Sequence, residues 1–277
     1  MAATNSAPHP WTELLRWYVE MGADEAIALD PIDRLRPPEV APAAAPPAIR
    51  SVPARQPAMQ RVAPPMVATP GGSEGAGARA LAEAATTLAE LEQAVATFEG
   101  CALRQTATRT VFADGNPEAR LMLIGEAPGA EEDRLGKPFV GRSGQLLDRM
   151  LAAIGFDRRS TAYITNVLFW RPPGNRKPTP GEIASCLPFV LRHVALVHPQ
   201  VIMLCGGTAT SALLGSSEGI TRLRGRWFDL QVPGLAQPVA TIATYHPSFL
   251  LRSPERKREA WRDLLSVQEK VNAPGKN

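Results

Sequence analysis

The sequence has no long apolar run and few cysteines, and each shortage excludes a class of protein. No stretch of about 18 consecutive apolar residues is present, so we expect no membrane span. The first residues lack the basic start and apolar core of a secretory signal. Three cysteines, Cys101, Cys186 and Cys205, are too few and too irregularly spaced for a disulfide framework. We therefore expect a protein of a reducing, cytoplasmic compartment.

Charge is divided unevenly along the 277 residues. Residues 1–97 carry 7 basic and 11 acidic side chains, a net charge of −4, whereas the rest carries 23 and 16, a net charge of +7. A basic body behind an acidic leader favours a polyanionic partner such as nucleic acid.

The first 77 residues divide into two regions. Residues 1–30 contain one short amphipathic pattern, over residues 11–29, with apolar side chains at helical spacing. That helix either docks on a protein partner or lies on its own domain. Residues 31–77 form a linker, because 11 of the 27 prolines lie between Pro31 and Pro70 among many alanines. Proline removes amide donors and fixes φ, so we expect this linker to be extended and disordered.

The folded domain is predicted to span residues 78–277. Apolar residues recur every three or four positions from Ala78 to Phe98, which predicts one amphipathic helix. Beyond it, short apolar runs alternate with helical patterns, which predicts an α/β domain with a mostly parallel, four-stranded sheet. The predicted strands are 120–125, 162–169, 200–206 and 238–246, and the predicted helices are 143–155, 179–197, 208–215 and 253–271.

Polar residues follow three of the four predicted strands: Gly125 and Glu126, Asn166, and His246. Ligands of parallel sheets bind at the carboxyl ends of the strands, so we expect these residues to converge on one pocket. Each also has a structural interpretation. The acids after Glu126 are favoured at a helix start, the asparagine can cap its own loop, and a lone histidine is more often structural.

The segment YHPSFLLRSP, residues 245–254, is predicted to be a proline-bounded loop with exposed Phe249, Leu250 and Leu251. Apolar side chains on such a loop are of the kind that wedge between stacked bases.

Four segments in order, GEAPGAEED, GKPFVGRSGQLLD, TNVLFWRPPGNRKPTPGEI and YHPSFLLRSP, closely resemble the family 4 uracil-DNA glycosylases. The resemblance runs from about Cys101 to the last helix. It implies the three-layer α/β/α fold of that superfamily and base-flipping hydrolysis of the uracil–deoxyribose bond in DNA. No lysine within these motifs suggests a Schiff-base nucleophile, so we expect a monofunctional enzyme that leaves an abasic site.

The resemblance also implies residue roles. Gly125, Glu126 and Ala127 line the uracil pocket, Phe139 stacks on the base, Asn166 reads its Watson–Crick edge, and His246 faces uracil O2. Glu132 and Asn175 match positions near the attacking water. Ser248, Leu250, Leu251 and Arg252 contact DNA, and Leu250 fills the gap left by the flipped nucleotide. Ala127 stands where family 1 enzymes have an aspartate, so Glu126, Glu132 or Asp133 must activate water. We favour the first two.

The family holds a four-iron four-sulfur cluster on four cysteines, and this chain departs from that pattern. Cys101 and Cys186 match two ligand positions, whereas Phe98 and Trp170 stand at the other two. Two thiolates are too few for the usual ligation. We predict that no cluster binds and that the two aromatic rings fill the vacated volume. The alternative is an exposed Trp170 that contacts DNA.

Two other functions remain open at this point. One is a non-catalytic uracil-DNA binder or repair adaptor, and the other is a domain that acts on a nucleotide or RNA. For the glycosylase, we expect uracil-containing DNA, single- or double-stranded, as substrate, a monomeric enzyme, and a possible protein partner for residues 11–29. The chain lacks the histidine-bearing insert of relatives that form covalent adducts, so we expect ordinary turnover.

Overall fold

The computed structural model of the chain describes residues 60–62 and 73–273. The predicted helical region 1–30 lies outside the described residues, as does most of the predicted linker. Two stretches of that linker are described, and both have regular structure rather than extended, unpaired chain. Residues 60–62 form a strand, and the first described helix begins at Ser73.

Seven strands of the described residues form one sheet, in the order β1-β6-β7-β5-β3-β4-β2. They are β1 (Gln60–Val62), β2 (Asp114–Gly115), β3 (Leu121–Gly125), β4 (Ala162–Asn166), β5 (Val201–Cys205), β6 (Trp227–Leu230) and β7 (Val239–Thr244). The central four, β7-β5-β3-β4, are parallel and are the four strands predicted from sequence. The sequence analysis missed the three short outer strands, of which β2 and β6 run antiparallel to their inner neighbours.

The helices of the described residues are α1 (Ser73–Ala84), α2 (Leu88–Thr97), α3 (Leu103–Thr106), α4 (Ala130–Leu135), α5 (Arg142–Ala153), α6 (Pro180–Val197), α7 (Gly207–Leu214), α8 (Ile220–Leu223), α9 (Pro247–Arg252) and α10 (Lys257–Asn272). Short 3₁₀ turns occupy Pro173–Asn175 and Pro254–Arg256.

The core has two apolar clusters, one on each face of the sheet. Alternate residues of a strand enter opposite clusters: Met122 and Ile124 of β3 enter one, and Leu121 and Leu123 enter the other. This alternation is the two-residue period of an extended strand. Helices α1, α2, α6 and α7 cover the first face, and α5, α9 and α10 cover the second. The three-layer α/β/α architecture is therefore confirmed.

The prediction of one helix from Ala78 to Phe98 is wrong, because the chain breaks at Thr86 and Thr87. The Thr87 hydroxyl accepts from the Glu90 amide, and the Glu90 carboxylate accepts from the Thr87 amide in return. This capping box starts a second helix. Leu81, which the single-helix pattern placed on the apolar face, is 41% exposed, and Ala78, Ala82 and Ala85 are the buried residues instead.

Helix α6 is long and apolar enough to cross a membrane by length and composition alone. Here it packs against α1 and α2, and its buried side chains, among them Phe189, Val190 and Val194, belong to the first apolar cluster. A core helix passes the same compositional test, so this feature carries no argument for a membrane.

The four positions that match iron–sulfur ligands lie in the first apolar cluster, at the corner formed by α2, α3 and α6. Trp170 is 1% exposed and its Nε1 donates to the Thr110 hydroxyl at 3.1 Å. Phe98 is buried edge-on against Phe189. The alternative of a surface Trp170 that contacts DNA is therefore wrong.

The two cysteines at this corner, Cys101 and Cys186, are buried neighbours. A hydrogen bond with the Cys101 sulfur, together with burial, raises the pKa of the Cys186 thiol. Two cysteines, with Phe98 and Trp170 at the other two matching positions, are fewer than the four thiolates that the cluster needs.

Acid sensitivity follows from a histidine buried in the first cluster. The His193 ring is fully buried and stacks on Phe112 at a centroid distance of 4.4 Å, and its Nε2 shares a hydrogen bond of 2.7 Å with the Tyr163 hydroxyl. Burial lowers the pKa of His193 to about 3 from its ordinary 6.5. The unfolded chain therefore binds a proton that the folded chain refuses, and stability present above pH 6.5 is lost on acidification.

We expect His193 alone to remove about 2 kcal/mol of unfolding free energy between about pH 6.5 and pH 5, at about 1.4 kcal/mol per pH unit. Urea denaturation at both pH values measures the loss. His193→Gln should flatten this dependence by that amount, whereas Tyr163→Phe, which keeps the imidazole, should not. Equal pH dependence in wild type and His193→Gln would contradict this account.

Candidate active site

The register of the sheet brings the predicted site residues to one edge. Gly125 at the end of β3 lies opposite Asn166 at the end of β4, and Cys205 of β5 lies opposite Thr244 of β7. His246 follows two residues after Thr244. The pairing continues past the strand ends, because the Leu168 amide donates to the Glu126 carbonyl at 3.1 Å. Backbone hydrogen bonds alone therefore fix the positions of the residues that follow these strands.

Gly125 forms the floor of the site. A Cβ built at Gly125 would lie 2.4 Å from Asn166 Oδ1 and 2.5 Å from Cζ of Phe139. Any side chain here would displace both groups, so the glycine is required by close approach. The rings of Phe139 and His246 lie 5.4 Å apart at an interplanar angle of 27°. Gly125, Phe139, Asn166 and His246 thus meet at one point, as the sequence analysis expected.

Asn166 has an unsatisfied acceptor at this point. Its side chain is 1% exposed, and within the described part of the chain its Oδ1 has no hydrogen-bond partner. An unpaired buried polar atom costs about 1–3 kcal/mol. The structural interpretation, an asparagine that caps its own loop, does not account for this orphaned oxygen. A ligand with a donor does.

His246 is held as a neutral imidazole. Burial, and then the charge of Arg252, lower its pKa to about 4, although Glu132 opposes the shift. The Ser248 amide donates to Nδ1 at 3.1 Å, so Nδ1 is the unprotonated nitrogen. The ring proton consequently sits on Nε2. Ser248 is thus a partner of the imidazole, with its hydroxyl 2.8 Å from Nδ1.

The three acids proposed for water activation have different partners. Asp133 is buried and accepts the Thr108 and Arg109 amides at 2.8 and 3.1 Å, so it anchors a neighbouring loop. Glu132 accepts three amides, from Gly129, Val140 and Gly141. Both carboxylates are thus engaged by backbone amides, although Glu132 also lies close enough to His246 to oppose the lowering of its pKa.

Glu126 is the acid with capacity left. Its Oε2 accepts the Thr208 hydroxyl at 2.5 Å, and Thr208 stands in the first turn of α7. The sequence analysis missed Thr208, since a threonine in a small-residue helix carries no signal of its own. Ala127, beside Glu126, is half-buried against the first apolar cluster.

Asn175 lies on the surface rather than in the pocket wall. It is exposed in the 3₁₀ turn, has a left-handed φ of 54°, and accepts from Arg171 Nε at 2.7 Å.

The segment after His246 differs from the predicted loop. Residues Pro247–Arg252 form helix α9, with His246 as its N-cap. Leu250 is 1% exposed within the second apolar cluster, so the prediction that it projects from an exposed loop is wrong. The helical period explains this, because one turn of α9 must face α5. Leu251 is half-buried and Arg252 is exposed.

Comparison with known proteins agrees with this site. The sequence model of the uracil DNA glycosylase superfamily matches residues 112–265. A type-4 uracil-DNA glycosylase of Thermotoga maritima is 41% identical over 174 residues, 62% of this chain and 86% of that protein. One of Archaeoglobus fulgidus is 36% identical over 187 residues, 66% and 92% of the two chains. A type-5 uracil-DNA glycosylase of Thermus thermophilus is 34% identical over 120 residues, 38% and 54% of the two chains. The chain belongs to the uracil-DNA glycosylase superfamily.

The three amides held by Glu132 predict a stability role for this residue. Glu132→Ala should lower the unfolding free energy by about 2–4 kcal/mol, because hydrogen bonds to a charged acceptor are worth about 1.5–3 kcal/mol each and partial exposure weakens them. Glu131→Ala, which removes an exposed pair with Arg134, is the matched control and should cost under about 1 kcal/mol. Denaturant titration measures both. Similar losses of unfolding free energy in the two variants would show that Glu132 does not stabilise the fold through these three amides.

Proposed function

We propose that this chain hydrolyses the N-glycosidic bond of uracil in DNA, releasing the base and leaving an abasic site. The observation that carries the proposal is the buried, unpartnered Oδ1 of Asn166 beside the ring of Phe139. A carboxamide offers an acceptor and a donor side by side. That pattern pairs with N3–H and O4 of a uracil ring that stacks on Phe139.

Bond cleavage separates charge, and the residues around the pocket match both signs. Negative charge develops on uracil O2, and a neutral His246 with its proton on Nε2 supplies a donor to it. A neutral imidazole serves this role well because it has no positive charge to lose as the pH rises. One preorganised donor of this kind is worth about 3–4 kcal/mol of barrier.

Positive charge develops on the deoxyribose, and Glu126 faces it. We assign Glu126 to water activation and to stabilisation of this cation, since Thr208 holds its Oε2 and, among the described residues, no hydrogen bond holds its other carboxylate oxygen. Glu132 acts at one remove, through the amides of Val140 and Gly141. Asn175 lies on the exposed turn after β4, and we propose that it contributes to the reaction only when DNA is bound.

Access to the base requires that the nucleotide leave the duplex, at a cost of a few kcal/mol. Helix α9 supplies the surface nearest to His246. With Leu250 buried, we assign the contact with the vacated stack to Leu251 and phosphate contact to Arg252. Ser248 acts on the bound nucleotide indirectly, because it holds the His246 imidazole in place. The net-basic body adds salt-sensitive affinity for the phosphates.

A non-catalytic uracil-DNA binder is less well supported. Binding alone needs Phe139 and Asn166, but it does not need an acid held by a hydroxyl or a histidine fixed in one tautomer. The Thr208–Glu126 and Ser248–His246 hydrogen bonds are therefore the features that favour catalysis.

A single-uracil oligonucleotide, incubated with protein and then cleaved with alkali at abasic sites, tests the activity. Wild type should give strand breaks. Glu126→Gln should lower the single-turnover rate by about 10²–10⁴-fold, the usual contribution of a general base. Glu131→Gln, from the same acidic cluster but exposed and paired with Arg134, should not. Binding of the oligonucleotide by wild type without breaks would favour the adaptor.

We also propose that the enzyme works without an iron–sulfur cluster. The support is the corner formed by Phe98, Cys101, Trp170 and Cys186, which holds two thiols and two aromatic rings. Within the described residues, no group of three or more His, Cys, Asp or Glu side chains is arranged to hold a metal ion.

Protein purified without oxygen should therefore contain no stoichiometric iron and no visible charge-transfer absorbance. Trp170→Ala should cost about 3–5 kcal/mol of unfolding free energy, because a large buried ring is removed from a packed corner. Thr110→Ala removes its hydrogen-bond partner alone and should cost about 1 kcal/mol. One cluster per chain in active protein would overturn the proposal.

The remaining assignments rest on sequence. We propose a monomeric, cytoplasmic enzyme whose residues 11–29 contact a protein partner. The supports are the apolar pattern of that segment and cysteines that are too few and too irregularly spaced for a disulfide framework.

A further inference from the structure

Arg158 is a largely buried cation that no proposed step uses. It lies between α5 and β4, and its side chain is 13% exposed. One guanidinium nitrogen donates to the Pro138 carbonyl at 2.9 Å, and the other donates to the Phe139 carbonyl at 2.5 Å. The same group pairs with Asp114 at 3.2 Å and with Asp148 at 2.8 Å. Both acids and both carbonyls therefore fix its orientation.

The backbone that Arg158 grips is strained. Phe139 has a φ of 53°, in the left-handed region that a bulky residue rarely adopts. Such a conformation persists only where the surroundings over-determine it.

Three groups over-determine this turn. Arg158 holds the carbonyls of residues 138 and 139. Glu132 holds the next two amides, of Val140 and Gly141. A Cβ at Gly144 of α5 would lie 1.7 Å from the Phe139 carbonyl oxygen, so the turn sits directly against the helix backbone. The ring carried by this turn lies directly against Gly125, where a Cβ would come within 2.5 Å of its Cζ.

We propose that Arg158 is a positioning residue for base excision. By donating to two successive carbonyls, it keeps the Phe139 turn left-handed and so holds the ring where uracil must stack. The inference rests on the proposed function, since it assigns to Phe139 the role of stacking platform. A planar guanidinium suits this task, because its fork donates two bonds in a fixed geometry that an ammonium cannot reproduce.

The kinetic consequence is a loss that affects the base site rather than DNA binding. Four of the five N–H groups of Arg158 are engaged, with Pro138, Phe139, Asp114 and Asp148, so we expect little direct contact with the phosphates. A displaced platform should slow excision without weakening the grip on the strand. A misplacement of about 1 Å in a reacting assembly can cost about 100-fold in rate.

The test compares Arg158→Met, Arg158→Lys and Arg159→Met in the full-length protein. Arg159 is the matched control, an exposed arginine one residue further along. For Arg158→Met, the single-turnover rate should fall about 10–100-fold, and the inhibition constant of free uracil should rise comparably. KM for the oligonucleotide should stay near the wild-type value. Arg158→Lys, which keeps the charge but lacks the planar fork, should fall between, and Arg159→Met should match wild type.

Four outcomes are decisive. Slow excision with weak uracil inhibition and an unchanged KM supports the inference. Wild-type kinetics and wild-type uracil inhibition in Arg158→Met would overturn it alone. Inactive wild-type protein would overturn the proposed function and this inference with it. If near-UV circular dichroism shows that Arg158→Met does not fold, Arg158→Lys decides, and full activity in that variant refutes the need for a fork.

Discussion

The absent side chain at Gly125 is the constraint on which the rest of the site depends. Because β3 ends in a residue without a Cβ, Asn166 Oδ1 and the Phe139 ring both approach within 2.5 Å of the place a Cβ would take. The parallel register to β4 then sets the asparagine opposite the glycine. The pocket is thus a property of backbone pairing first, and its polar groups are arranged around a space that the main chain leaves.

A second level of support surrounds this space and uses no substrate contact. The Glu132 carboxylate accepts from three amides, and the Asp133 carboxylate accepts from two others. The Arg158 guanidinium donates to two carbonyls and pairs with two acids. Charged side chains here replace the secondary structure that the turns lack. Of the four acids that crowd after β3, Glu132 and Asp133 hold backbone amides in this way, whereas Glu131 is exposed and paired with Arg134.

Sequence reasoning recovered the parts of this arrangement that depend on periodicity. The buried strands β3, β4, β5 and β7 could be predicted from sequence. So could the convergence of the polar residues that follow three of them. The direction of a side chain within a cluster was not legible. Glu126, Glu132 and Asp133 look equivalent in the sequence, and only coordinates separate them by partner. The prediction of an exposed Leu250 is wrong for a related reason. The proline-bounded segment has the pattern of a loop, but His246 caps a helix that turns this leucine inward.

The two ends of the sheet are covered in different ways. On one side β1 pairs in parallel with β6, and on the other β2, two residues long, closes against β4. Unpaired amides along a long flat strand invite a second chain to add on, and short or shielded margins discourage it. Within the described residues, both edge strands are short, three residues in β1 and two in β2, so this sheet offers little template for the addition of a strand from another chain.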